Sequence, residues 1–103
     1  MASGQEPLSM KVDSQGVVKL VGEIDYTVTP KLRASIINHI KKTKGPLRMD
    51  ISGVSYLDSS GLAVFIEARR HLMDEKRTLQ LENVTQEVKK IFDLTQVSQL
   101  FGI

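Results

Sequence analysis

The first apolar positions of the chain follow the pattern of two strands. Leu8–Asp13 and Val17–Gly22 are rich in Val and Leu, and both are predicted to be strands. The short link Ser14-Gln15-Gly16 contains a glycine and is typical of a hairpin between antiparallel strands. The second segment is nearly apolar throughout, which predicts a strand covered on both of its faces.

A helix and a third strand are predicted next. Thr29-Pro30 indicates the start of the helix, with the Thr29 hydroxyl as its cap, and Gly45-Pro46 indicates its end. Apolar and charged residues then alternate over 47–51, which predicts a strand. The polar, glycine-containing segment 53–58 is predicted to be a loop.

The second half of the chain repeats the alternation of helix and strand. A second helix is predicted from near Ser59, and Leu79 and Leu81 predict a short fourth strand. A third helix follows the segment 83–85, and Leu100–Ile103 is predicted to add a final edge strand. The order β-β-α-β-α-β-α predicts an α/β fold. We expect a single domain, with a four- or five-stranded mixed sheet, parallel crossovers and helices packed on the sheet.

The length and composition of the chain agree with a single globular domain. The chain has 103 residues and no cysteine, which excludes disulfides and thiolate metal sites. Residues 1–7 lack the basic start and apolar centre of a signal peptide, and we expect a flexible leader before a domain spanning 8–103. The longest uninterrupted apolar run, Leu62–Ile66, is too short to cross a membrane. We therefore expect a cytoplasmic protein without direct membrane insertion.

The usual signatures of nucleic-acid binding and catalysis are absent from the sequence. The net charge is only +2 and the basic pairs are scattered, so nucleic acid is not an expected partner. Neither Gly-x-Ser-x-Gly nor a glycine-rich phosphate loop occurs, and no catalytic residue or cofactor is predicted. His39 and His71 lie on separate helices, so no metal site is expected. Glu67 and His71 are four residues apart and predict a surface pair on one helix.

The segment Asp58-Ser59-Ser60-Gly61 lies where a strand is expected to lead into a helix. Asp and Ser are common helix caps, which is the structural interpretation of the segment. A hydroxyl at a helix N-terminus also lies where backbone N–H groups and the helix dipole favour an anion. Phosphorylation there would add about −1.5 to −2 charges, which we expect the helix end to accommodate. Gly61 and Ala63 are small, and we expect them to let another protein approach closely.

Two motifs carry a resemblance to a known family. The segment Ile51–Val64, read as ISGVSYLDSSGLAV, resembles the central signature of STAS domains, the sulfate-transporter and anti-sigma-factor-antagonist family. Gly22-Glu23-Ile24-Asp25 is similar to the family's Gly-Glu-Leu-Asp motif, and the order of elements also agrees. The resemblance covers roughly residues 8–103.

The resemblance implies a switch at Ser59. In anti-sigma factor antagonists the matching serine is phosphorylated by a serine kinase that is also the anti-sigma factor. The unphosphorylated antagonist binds that partner and frees the sigma factor, and the phosphorylated form dissociates. The resemblance places Asp58, Ser60 and Gly61 in the contact loop and Asp25 in the neighbouring loop.

Two alternatives stay open at this point. One is a STAS accessory subunit that binds the ATPase of a bacterial lipid-transport ABC complex, where the matching hydroxyl serves the interface. The other is nucleotide binding at the same loop, which the missing glycine-rich phosphate loop disfavours. The sequence also leaves the oligomeric state open, including a homodimer.

Overall fold

Four strands and three α-helices alternate in the computed structural model, which describes residues 8–103. They are β1 (Ser9–Val12), β2 (Val18–Ile24), α1 (Thr29–Lys42), β3 (Leu47–Leu57), α2 (Ser59–Asp74), β4 (Leu79–Glu82) and α3 (Gln86–Leu94), followed by a short 3₁₀ helix (Ser98–Phe101). The predicted order of strands and helices is confirmed. The expected leader, residues 1–7, lies outside the described residues.

The strands form one mixed sheet in the order β1-β2-β3-β4. β1 and β2 are an antiparallel hairpin, in which the Asp13 carboxylate accepts hydrogen bonds from the N–H groups of Gln15 (2.8 Å) and Val17 (2.9 Å). The pairs β2–β3 and β3–β4 are parallel, as crossover helices require. The α/β class and a sheet of four strands agree with the prediction. Because β2 and β3 are parallel, their carboxyl ends meet at the same edge of the sheet.

The hydrophobic core lies on one face of the sheet. Buried and exposed positions alternate along β2, where Leu20 is fully buried while Lys19 and Val21 are exposed. The prediction that this strand is covered on both faces is therefore wrong. On the helix-free face, Lys19 pairs in register with Asp50 of β3. A sheet with one solvated face explains the charged residues that alternate with the apolar ones.

The third strand is longer than predicted. Segment 53–58 was expected to be a loop, but β3 continues through it to Leu57. Gly53 and the neighbouring serines suggest a turn when only local propensity is considered, whereas pairing with β2 keeps the segment extended. The ladder shifts register between Gly22 and Glu23, and Gly22 has a φ of +120°, which a glycine adopts without strain.

The expected fifth strand at Leu100–Ile103 is also not formed. Residues Ser98–Phe101 make a 3₁₀ helix, and the Phe101 ring is buried edge-to-face against Phe92 at a centroid distance of 5.2 Å. Phe92 in turn packs on Phe65 of α2 with a centroid distance of 6.3 Å. A tight turn brings Phe101 into this aromatic cluster, and its burial outweighs the local preference for strand.

An ion pair joins the first two helices. Arg33 of α1 donates two hydrogen bonds to the Glu67 carboxylate of α2, at 2.7 Å from Nε and 2.5 Å from Nη2. The predicted pair on α2 is also confirmed, because His71 Nε2 lies 3.7 Å from Glu67 Oε2. The hydrogen bond from Arg33 is the main reason that the pKa of Glu67 lies below its ordinary value. Sequence spacing within α2 could not have indicated the Arg33 contact.

Candidate docking site at the start of α2

Helix α2 begins at Ser59 because Asp58 caps it. Asp58 has extended backbone angles, and its Oδ1 atom accepts hydrogen bonds from the N–H groups of Ser60 and Gly61, each at 3.0 Å. The backbone carbonyl of Asp58 also accepts the N–H of Leu62 at 3.0 Å. This is the standard geometry of an N-cap aspartate, and it satisfies donors that an α-helix leaves without a partner in its first turn.

The same aspartate joins α2 to the loop between β2 and α1. Asp58 Oδ2 accepts the backbone N–H of Tyr26 at 3.1 Å, and the Asp58 N–H donates to the Ile24 carbonyl at 3.2 Å. These contacts form because the parallel strands β2 and β3 end side by side. One carboxylate therefore fixes the position of two segments that are 32 residues apart in sequence.

Two opposing effects act on the pKa of Asp58. Partial burial raises it, while hydrogen bonds from Ser60, Gly61 and Tyr26 lower it. The hydrogen bonds together prevail, and the pKa lies below the ordinary value of 3.8. The carboxylate is therefore ionised at neutral pH, and its charge lies at the positive end of the α2 dipole.

Replacement of Asp58 tests this cap and link. Asp58→Asn keeps a capping oxygen for the helix but replaces Oδ2 with an amide nitrogen that cannot accept the Tyr26 N–H. Asp58→Ala removes both functions. In urea denaturation at pH 7 we expect a loss of about 2 kcal/mol for Asp58→Ala and about 1 kcal/mol for Asp58→Asn.

The difference in stability between wild type and Asp58→Asn should depend on pH in a defined direction. A carboxylate with a lowered pKa in the folded state stabilises the protein above its unfolded pKa, and the effect is lost as the pH falls through the folded pKa. The gap between wild type and Asp58→Asn should therefore be full above about pH 5 and shrink steadily below about pH 4. A gap that stays constant down to pH 3 would contradict this assignment.

The two serines of the motif have different environments. Ser60 is half-buried, and its hydroxyl donates to Asp58 Oδ1 at 2.6 Å. Ser59 is the first residue of α2 and is exposed. Of the two serines, Ser59 is therefore the more exposed, and its hydroxyl is not used in the Asp58 cap.

Gly61 does not lie on the surface, in contrast to the expectation that it makes room for a partner. It is buried, and a Cβ atom at this position would lie 2.4 Å from Leu57 Cδ1 and 2.7 Å from Ile24 Cγ2. The absence of a side chain lets the first turn of α2 pack closely on the ends of β2 and β3. The space that Gly61 leaves is filled from inside the protein.

The remaining predicted contact residues divide by position. Ala63 is exposed one helical turn after Ser59, on the same face of α2. Asp25 is half-buried in the β2–α1 loop, where its carboxylate accepts the N–H of Thr27 at 2.9 Å. The backbone carbonyl of Asp25 accepts the N–H groups of Val28 and Thr29. Asp25 thus shapes the loop beside the tip of α2.

The Thr29 hydroxyl does not cap α1, contrary to the prediction. Thr29 is the first residue of α1, and its hydroxyl donates to the Tyr26 carbonyl at 3.3 Å instead of accepting a helix N–H. The residue before it, Val28, has no oxygen in its side chain with which to cap the helix. Thr29 therefore stabilises the loop that precedes α1, and the Asp25 carbonyl accepts the first N–H groups.

One residue of this site was missed by the sequence analysis. Tyr26 is 73% exposed, although its backbone N–H is hydrogen-bonded to Asp58. An aromatic residue directly after the Gly22–Asp25 motif was the available signal. The resemblance placed Asp25 in the neighbouring loop, but the prediction did not extend to the residue after it.

The end of α2, which was expected to accommodate a phosphate, already carries a capping carboxylate. The N–H groups of Ser60 and Gly61 already donate to the Asp58 carboxylate. A phosphate group on Ser59 would therefore meet an occupied helix end and a neighbouring negative charge. Its charge would act mainly on the outer surface, and a partner there would experience it directly.

Metal-binding clusters and membrane-spanning helices are absent from the part of the chain that the structure describes. Within residues 8–103, the structure contains no group of three or more His, Asp or Glu side chains placed to hold a metal ion. None of the helices in that range combines the length and apolar character required to span a membrane.

Comparison with known proteins identifies the family. The model of the STAS domain matches residues 7–103. The anti-sigma-B factor antagonist of Bacillus subtilis is 31% identical over 86 residues, which cover 84% of this chain and 78% of the relative. The crystal structure of an anti-sigma factor antagonist from Mycobacterium paratuberculosis superposes with a TM-score of 0.77 at 23% identity, over 92% of this chain and 81% of that one.

A third comparison concerns a relative in a modified state. The Bacillus cell fate determinant SpoIIAA in its phosphorylated form superposes with a TM-score of 0.68 at 20% identity, over 90% of this chain and 86% of that chain. At this identity the superposition establishes the shared fold. The family model covers nearly the whole chain, and its span includes every strand and helix described above. The protein therefore belongs to the STAS domain family.

Proposed function

We propose that this protein is an anti-sigma factor antagonist, which binds an anti-sigma factor with serine kinase activity and thereby frees a sigma factor. The names of its relatives support this function and favour it over an accessory subunit of an ABC transporter. The observation that carries the proposal is the exposed Ser59 at the tip of α2, next to a capping aspartate. The protein acts by binding in the cytoplasm, where the sigma factor is used, and needs no catalytic residue or cofactor of its own.

The switch in this proposal is phosphorylation of Ser59. The Ser59 Oγ atom attacks the γ-phosphoryl group of ATP held by the kinase; a new O–P bond forms, ADP leaves, and the hydroxyl proton passes to a base on the kinase. The product carries about −1.5 to −2 extra charges on Ser59. Since Asp58 already caps α2, the helix needs no phosphate to form and the fold is the same in both states.

The surface around Ser59 explains why phosphorylation would weaken binding. Asp58 and Asp25 already supply carboxylates near the tip of α2. A phosphate group adds charge to that acidic surface and must lose its hydration when a partner covers it. The free energy of the complex then rises, while that of the free protein is nearly unchanged.

The site of phosphorylation can be tested with the two adjacent serines. We expect the wild type, incubated with its cognate anti-sigma kinase and ATP, to gain one phosphoryl group by intact-mass measurement. Ser59→Ala should gain none. Ser60→Ala is the matched control and should still be phosphorylated, because Ser60 contributes its hydroxyl to the Asp58 cap.

Two results would contradict the assignment. Phosphorylation that persists in Ser59→Ala and disappears in Ser60→Ala would show that Ser60, and not Ser59, is the phosphorylated residue. A wild type that neither gains phosphate nor binds the kinase would argue against the antagonist function itself.

A further inference from the structure

A single exposed aromatic side chain lies beside the proposed switch. Tyr26 is 73% exposed, more than the other tyrosine, Tyr56, at 50%. A tyrosine ring in water leaves a large apolar surface uncovered, and such residues dominate the binding energy of many protein interfaces. The exposure of Tyr26 alone is ordinary for a loop. Its surroundings distinguish it.

The backbone of Tyr26 is fixed on both sides. Its N–H donates to Asp58 Oδ2 at 3.1 Å, and its carbonyl accepts the Thr29 hydroxyl at 3.3 Å. The next residue, Thr27, is held by the Asp25 carboxylate. A loop ordered in this way presents the ring in a defined position, which lowers the entropy lost when a partner binds it.

Tyr26 and Ser59 are joined through one residue. Asp58 contacts Tyr26 across the loop and precedes Ser59 in the chain. The backbone of Tyr26 therefore lies beside the residue that precedes Ser59, and the exposed Tyr26 is close to the start of α2. Tyr56 provides a contrast, because it pairs in register with Glu23 in the sheet while the next residue, Leu57, faces the core.

We infer that Tyr26 is the aromatic anchor of the partner complex, held beside Ser59 by the Asp58 carboxylate. This inference rests on the proposed function and specifies the partner further. The anti-sigma factor must offer an apolar pocket for a phenol ring next to the part of its surface that receives Ser59. Phosphorylation and anchoring then act on one continuous surface, which comprises Tyr26, Ser59 and Ala63.

The test measures affinity for the cognate anti-sigma kinase by calorimetry. We expect Tyr26→Ala to raise the Kd at least about 10-fold. Tyr26→Phe, which keeps the ring, should stay within about 3-fold of wild type. Tyr56→Ala removes a comparably exposed tyrosine from the helix-free face and should also stay within about 3-fold. Because Tyr26 is a surface residue, the thermal midpoint of Tyr26→Ala should remain close to that of wild type.

The outcomes separate this inference from the proposed function. If Ser59→Asp abolishes binding while Tyr26→Ala binds like wild type, the anchor is wrong and the antagonist function stands. Equal losses in Tyr26→Ala and Tyr26→Phe, or in Tyr26→Ala and Tyr56→Ala, also overturn the anchor. If the wild type shows no binding, the proposed function fails and the inference fails with it.

Discussion

Phosphorylation of Ser59 is expected to weaken the complex with the anti-sigma partner by about 30-fold or more. A factor of 30 corresponds to about 2 kcal/mol, which is modest for a dianion forced to lose its hydration at an interface that already contains carboxylates. The exposed position of Ser59 and the neighbouring Asp58 are the structural basis of this expectation. Calorimetry with the phosphorylated protein and with Ser59→Asp measures the loss.

The control for this experiment is Ser59→Ala, which removes the hydroxyl without adding charge. It should bind within a few-fold of wild type, since one exposed hydroxyl contributes little to affinity. Circular dichroism of the phosphorylated protein should match that of the free wild type, because Asp58 caps α2 in both states. An affinity that is unchanged by phosphorylation would remove the switch from the proposed function.

Replacement of Gly61 by valine is expected to lower the free energy of unfolding by about 3 kcal/mol. The new Cβ atom would overlap Leu57 and Ile24, which are 1% and 0% exposed and would have to shift within the core. Helix propensity alone predicts the opposite sign, because glycine is the poorer helix former by a few tenths of a kcal/mol. The sign of the change therefore tests the packing argument.

Ala63→Val is the matched control for Gly61→Val. It introduces the same side chain two residues further along α2, at an exposed position. Only the lower helix propensity of valine acts there, so we expect a loss of about 0.5 kcal/mol. Urea denaturation of both variants compares the two effects directly. If the two variants lose similar amounts of unfolding free energy, the close contacts at position 61 do not exclude a side chain and the packing argument is wrong.

Local patterns were sufficient to predict most of the fold. The helix signals at Thr29-Pro30 and in segment 83–85, and the alternation over 47–51, depend on a few neighbouring residues, and the elements they predict are present. Thr85 caps α3, with its hydroxyl accepting the N–H of Val88 at 3.3 Å. A cap and its helix are adjacent in the chain, so the start of a helix leaves a local signal even where the capping residue itself, as at Thr29, is misassigned.

The errors have a common physical cause, which is tertiary contact. Segment 53–58 is extended because it pairs with β2, and Phe101 turns inward because Phe92 offers an aromatic surface. The internal role of Gly61 depends in the same way on Ile24, 37 positions earlier in the printed sequence. The motif indicated Asp58 and Ser59 correctly as cap and exposed hydroxyl, but it contained no sign of the loop that Asp58 also holds.

The double contact of Asp58 has a consequence for how this surface can be recognised. Its Oδ1 atom accepts a hydrogen bond from the first turn of α2, while its Oδ2 atom accepts the N–H of Tyr26, in a loop that is 32 residues away in the chain. The surface around Ser59 is therefore conformational, because a short linear peptide cannot contain both halves, which are 32 residues apart. If the proposed kinase requires both halves, it would distinguish the native protein from an unfolded chain and modify only folded molecules.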